Sequence, residues 1–152
     1  MCRRRNTLSG GDVITPIGIP GLKAVSDQPF FLPAISAGFP SPAENFVEAA
    51  LDLNRHVVKH PVSTFYVRVQ GNSMIDAGIV QDSILVVDRS IDCKDGDIVV
   101  ARVNADFCIK RLRIFEGSVS LTSENPNYPA ISITDETEFE IWGKVTWSIR
   151  AH

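Results

Sequence analysis

The sequence predicts a mostly β protein, a single β-rich domain preceded by a short helix and an extended N-terminal arm. Three observations carry this expectation. From Ser63 onward apolar and polar residues alternate over short runs, the period-two signature of half-buried strands. Asp, Gly, Asn and Pro punctuate these runs, as turns require. The 152 residues leave room for one core of ordinary size and no second full domain.

Residues 1 to 37 hold Gly10, Gly11, Gly18 and Gly21 together with Pro16, Pro20, Pro29 and Pro33, and show no sustained periodicity, so they read as the arm. Its apolar stretches, Val13 to Ile19 and Phe30 to Ile35, suit docking on the body or on a partner. At Ser41-Pro42-Ala43-Glu44 an N-cap serine, a proline at the first helical position and a glutamate completing a capping box start a helix. That helix is expected to carry Phe46, Val47, Ala50 and Leu51 on one face and to run toward Lys59, before Pro61 stops it. Strands follow at Thr64 to Gln70, Ser83 to Asp88, Asp97 to Asn104, Phe107 to Phe115, Ser118 to Thr122 and Glu138 to Ile149. The turn Asn104-Ala105-Asp106 makes a hairpin that places Lys110 in mid-strand.

Composition excludes several roles. A net charge of −3 argues against coating nucleic acid, which needs Lys and Arg to displace counterions from phosphates, and points to protein partners. Cys2, Cys93 and Cys108 are odd in number and widely spaced, which supports neither a disulfide framework nor a zinc site. A reducing, cytoplasmic setting is expected, with no membrane span, no signal peptide, no metal and no cofactor.

The candidate chemistry is spread over three places. Gly71-Asn72-Ser73-Met74-Ile75-Asp76 follows directly on a strand and puts Ser73 in a glycine-led turn, where backbone N–H groups can gather. Ordinary turn chemistry explains it equally, and the second glycine of a hydrolase elbow is missing at Ile75. His56, His60 and His152 offer no good triad base. A lysine is the remaining base, and it must act in its neutral form, which burial favours. Alternation sets Lys110 in an apolar row with Cys108, Leu112 and Ile114, with Arg111 and Arg113 on the opposite face. A snorkelling edge lysine would give the same pattern. Third, Pro33-Ala34-Ile35-Ser36-Ala37-Gly38-Phe39-Pro40 is a small-residue segment that fits an extended protease substrate as well as it fits a linker.

Together these residues resemble the self-cleaving family of UmuD, MucA and the C-terminal domain of the LexA repressor. The resemblance runs from about Ala37 to Arg150 through Ala37-Gly38-Phe39-Pro40-Ser41-Pro42-Ala43, Leu51-Asp52-Leu53-Asn54, Gly71-Asn72-Ser73-Met74-Ile75-Asp76, Asp95-Gly96-Asp97-Ile98-Val99 and Gly143-Lys144-Val145. It implies short, strongly bent sheets, Ser73 as nucleophile, Lys110 as base, the backbone N–H groups of Ser73 and Met74 as oxyanion donors, and Ala37-Gly38 as the cleaved bond. It implies an arm, 1–37, removed from a peptidase-like body, 38–152. It further implies an SOS role: cleavage promoted by a RecA filament on single-stranded DNA, a homodimer, and a processed form serving a UmuC-type Y-family polymerase in translesion synthesis, without sequence-specific DNA binding. Asn72 replaces the family's frequent aspartate, Ala37 matches the repressor branch, and the arm is longer than in UmuD. A LexA-like repressor would need a helix-turn-helix module ahead of the cleavage site, for which the arm leaves no room. A signal peptidase would need an anchor. A non-catalytic, dimeric polymerase accessory or regulatory protein with an inert serine and lysine is the remaining alternative.

Overall fold

Alternation between Thr64 and Gln70 gives a strand with those bounds, and the same rule places most of the body. The structure, a computed structural model, describes residues 13–18, 28–31 and 47–152. Along them run β1 (Val13–Gly18), β2 (Gln28–Phe31), β3 (Val47–Leu51), α1 (Leu53–Val57), β4 (Thr64–Gln70), β5 (Ile84–Asp88), β6 (Ile98–Val103), β7 (Asp106–Phe115), β8 (Ser118–Thr122), β9 (Ile131–Ile133) and β10 (Phe139–Ile149). Eight of these strands form one antiparallel sheet in the order β1-β4-β5-β10-β6-β7-β8-β9, and β2 pairs with β3 apart from it. The protein is mostly β, as its sequence predicts. No helix among the described residues is long and apolar enough to cross a membrane.

The expected helix is the main correction. Its capping box, Ser41 to Glu44, lies outside the described residues, and Val47–Leu51 is a strand whose register runs from Gln28 opposite Leu51 to Phe31 opposite Val47. Among the described residues of that stretch, helix is present only at Leu53–Val57, started by Asp52, whose carboxylate accepts the Arg55 N–H at 3.1 Å. A short helix is marginal on local propensity alone, so the strand partner offered by β2 decides the conformation of 47–51 and Asp52 begins the helix afresh.

Apolar clusters form on both faces of the sheet. Val67, Val69, Met74, Ile79, Leu85, Val87, Val100 and Ile109 form one cluster, and Val99, Ala101, Cys108, Leu112 and Leu121 form another. β7 supplies both, because its alternate residues point to opposite sides. The apolar row expected for Lys110 is shorter than its sequence suggests: Cys108 and Leu112 are buried, whereas Ile114 is 43% exposed near the β7–β8 turn. Register shifts at Ile141/Gly143 and Val145/Trp147 let β10 bend while it pairs with both β5 and β6. Gly143 sits where a Cβ would lie 2.8 Å from Val87 Cγ1 and 2.9 Å from the Asp88 carbonyl oxygen, so a side chain there would force β5 and β10 apart.

Candidate active site

β4 ends at Gln70 and the chain turns at Gly71, whose φ of +112° lies in a region that favours glycine. Asn72, Ser73 and Met74 follow, and then one 3₁₀ turn over Ile75–Ala77, closed by Gly78 at φ +77°. The Met74 carbonyl accepts the N–H groups of Ala77 at 3.1 Å and Ile79 at 3.2 Å, which fixes the turn on its own backbone. Met74, 1% exposed, anchors it in the core cluster shared with Val67, Val69 and Ile109. Ser73 is fully buried.

A second segment clamps the turn from outside. The connection from β8 to β9 brings Asn125 to the Asn72 carbonyl, to which its Nδ2 donates at 2.8 Å, while the Asp76 N–H donates to the Glu124 carbonyl at 2.9 Å. Arg111 holds this connection in turn. Its Nε bonds the Glu124 carboxylate, and its Nη1 donates to the Gly96 carbonyl at 2.7 Å.

Lys110 stands on β7 opposite Val99 and is 4% exposed. Its Nζ donates to Ser73 Oγ at 2.6 Å across 37 positions of sequence. The structure therefore brings together the two side chains that the sequence singles out. The Tyr128 ring lies 5.8 Å from Lys110 Nζ. A cavity of about 380 Å³ is lined by Asp76 of the Ser73 turn and by Ser123, Glu124, Asn125 and Tyr128 of the connection that clamps it, among others. Ser123 Oγ is buried at its wall with no hydrogen-bond partner.

The remaining residues are placed as follows. His60 contacts Asp88, His56 packs against Trp147, and the Arg150 Nε donates to His152, so the described contacts put no histidine at Ser73. Lys144, a lysine without an apolar row, pairs with Asp97 at 2.7 Å. Ala37 and Gly38 lie outside the described residues. Among the described residues no three His, Cys, Asp or Glu side chains gather in a way that could hold a metal ion. Sequence reasoning missed Ser123, Asn125 and Tyr128, because the Asn- and Pro-rich run 123–129 reads only as a turn. Their one signal was the length of the segment between β8 and the last strand.

An N–H or O–H held 2.6 Å from a neighbouring lone pair is at proton-transfer distance. A neutral Lys110 amine can take the Ser73 proton and leave an alkoxide, which is a nucleophile.

The Peptidase S24-like family profile matches residues 29–146. The chain is 41% identical to Protein MucA of Salmonella typhimurium over 87% of its own length and 90% of that protein. It is 38% identical to Protein SamA of Salmonella typhimurium over 80% and 84% of the two chains. It is 34% identical to a LexA repressor of Verminephrobacter eiseniae over 88% of this chain and 60% of the repressor.

Proposed function

The chain belongs to the Peptidase S24-like family, and from that premise we propose that it cuts its own backbone between Ala37 and Gly38. The observation that carries this reading is the 2.6 Å contact between Lys110 Nζ and Ser73 Oγ. Neutral Lys110 takes the Ser73 proton, and Oγ attacks the Ala37 carbonyl carbon. The backbone N–H groups of Ser73 and Met74 hold the oxyanion. As the intermediate collapses the C–N bond breaks, Lys110 returns its proton to the Gly38 amine, and an ester joins Ala37 to Ser73. Water, deprotonated by Lys110, then hydrolyses that ester and restores the serine. The products are an arm, 1–37, and a processed body, 38–152.

The wider role follows from the resemblance carried by the motifs. In this reading the protein is cytoplasmic and dimeric, a RecA filament on single-stranded DNA promotes its cleavage in the SOS response, and the processed form serves a UmuC-type Y-family polymerase in translesion synthesis. The experiment is direct. The purified chain is incubated with RecA, ATP and single-stranded DNA, and new N-termini are mapped. A single new terminus at Gly38 is expected; an intact chain, or a cut elsewhere, overturns the reading and leaves an inert accessory protein in its place.

A further inference from the structure

An extended peptide reaches a nucleophile most directly by pairing its backbone with the strand that delivers that nucleophile. Here the strand is β4, which runs straight into the Ser73 turn. One edge of β4 is taken by β5, in a register from Thr64 opposite Asp88 to Arg68 opposite Ile84. The Val69 N–H points to that side, donating to the Ser83 carbonyl at 2.9 Å. Strand alternation therefore turns the N–H and C=O groups of Tyr66, Arg68 and Gln70 toward the other edge.

That edge is already filled. β1 pairs with it antiparallel, with Val13 opposite Gln70, Thr15 opposite Arg68 and Gly18 opposite Tyr66, and its backbone also passes close to β7, the strand of Lys110. Residues 13–18 thus lie along the strand that supplies Ser73 and beside the one that supplies Lys110. β1 is itself built as a terminal strand. Alternation directs the backbone of Ile14 and Pro16 outward, so Pro16 removes a donor from the exposed edge, and the register shift between Pro16 and Gly18 distorts it further. β4, by contrast, contains neither Pro nor Gly.

We propose that the outer edge of β4 is the docking edge for extended chain at Ser73, and that β1 is its resident occupant, which the segment to be cut must displace. The identity of the competing segment, around Ala37-Gly38, rests on the self-cleavage reading. Both competitors belong to one chain. β1 therefore competes intramolecularly, at an effective concentration that does not depend on how much protein is present. A weak strand pairing suffices to keep it in place, and a weak competitor suffices to replace it.

The test separates docking from cleavage. In the uncut full-length Ser73→Ala chain, the amides of Tyr66, Arg68 and Gln70 are expected to be protected from hydrogen exchange. Thr15→Pro, which removes the N–H facing Arg68, should expose them while Val100 and Leu121 in the core stay protected. Ile14→Pro, whose N–H faces outward, should leave all of them protected. In the chain that retains Ser73, Thr15→Pro should speed appearance of the Gly38 terminus about threefold or more, as the competent fraction rises. A synthetic peptide of residues 10–20 should slow it again. Unchanged exchange at the β4 amides in Thr15→Pro overturns β1 as occupant. Opened amides with unchanged or slower cleavage overturn the edge as the route to Ser73. If neither chain cuts at Gly38, the self-cleavage reading falls and the competition falls with it, whereas the exchange result still decides whether β1 docks there.

Discussion

Two serine-containing clusters, one gathered on the buried carboxylate of Asp88 and one at the buried Ser73, put similar ingredients to different ends. At the end of β5 the Asp88 carboxylate, 3% exposed, accepts from Ser63 Oγ at 2.9 Å, Ser90 Oγ at 2.7 Å and the Ser90 N–H at 2.8 Å, with His60 Nδ1 2.6 Å away. Burial alone would raise its pKa, but the hydrogen bonds from the Ser90 side chain, His60, the Ser90 backbone and Ser63 outweigh burial and hold it at about 2. Ser, His and Asp are all present, yet Ser63 and His60 both turn to the carboxylate and no chain from serine through histidine forms. The result is a fixed negative charge that ties the segment after α1 to β5. At the other cluster Lys110 faces the hydroxyl of Ser73. A proton can cross that contact. The difference teaches that the order of contacts, more than the residue types, separates a structural cluster from a reactive one.

The largest effect that could break this comparison is on cleavage. Ser73→Ala and Lys110→Ala should each lower the rate at Gly38 by about three orders of magnitude or more, and the double variant should be no slower than either, as expected for residues that act as one unit. Asp88→Asn should still cut. An Asp88 variant as inactive as Ser73→Ala, at a temperature where it remains folded by circular dichroism, would erase the distinction between the clusters.

The next effect is the pH dependence of unassisted cleavage. Only an unprotonated amine can take the Ser73 proton, so a lysine base should make the rate climb with pH, by up to about tenfold per unit. Timed mapping of the Gly38 terminus between neutral and alkaline pH reads this directly, and a flat profile removes Lys110 as the base.

Asp88 predicts the opposite limb, in stability. Its carboxyl titrates at about 2 in the folded chain against 3.8 as the reference value. The unfolded chain therefore binds the proton first as pH falls. The stabilisation is complete above the ordinary carboxylate range and is lost as pH drops from about 4 through about 2, amounting to about 2 kcal/mol. Urea unfolding across that range should show the acid limb flatten in Asp88→Asn, with lower stability near neutrality where the serine donors lose their charged acceptor.

Legibility in the sequence followed the range of the forces involved. β4 and β8 have the bounds that alternation predicts, and β5, β6, β7 and β10 differ by a residue or so at their ends, because a strand with one buried face writes its period into the chain. Residues 47–51 misled, since their helical spacing is local while their strand partner, β2, lies outside any local window. β9 was missed because three residues are too few to show a period. At the site, Ser73 was visible as a turn and Lys110 as a strand lysine, but their contact spans 37 positions and only the resemblance linked them in advance. Tyr128 and Asn125 were illegible for the same reason: the β8–β9 connection reaches the Ser73 turn through tertiary folding, with no periodic trace.

Asn125 gives the smallest effect and the finest division between the clusters. Its Nδ2 bond to the Asn72 carbonyl is exposed, and a hydrogen bond in such a position contributes about 0.5–1.5 kcal/mol. If that bond serves only to hold the turn together, Asn125→Ala lowers stability by that amount and leaves the cleavage rate of the folded chain unchanged. If it sets the approach of Ser73 to Lys110, the rate falls by about threefold to tenfold, the same free energy expressed in the barrier. The second outcome is expected, because Asn72 directly precedes Ser73 and a small rotation of their shared peptide moves Oγ off a 2.6 Å contact. Rates at Gly38 taken well below the unfolding midpoint separate the two. The acid limb governed by Asp88 should not move in either, since none of its donors belongs to the Asn72 turn or the β8–β9 connection.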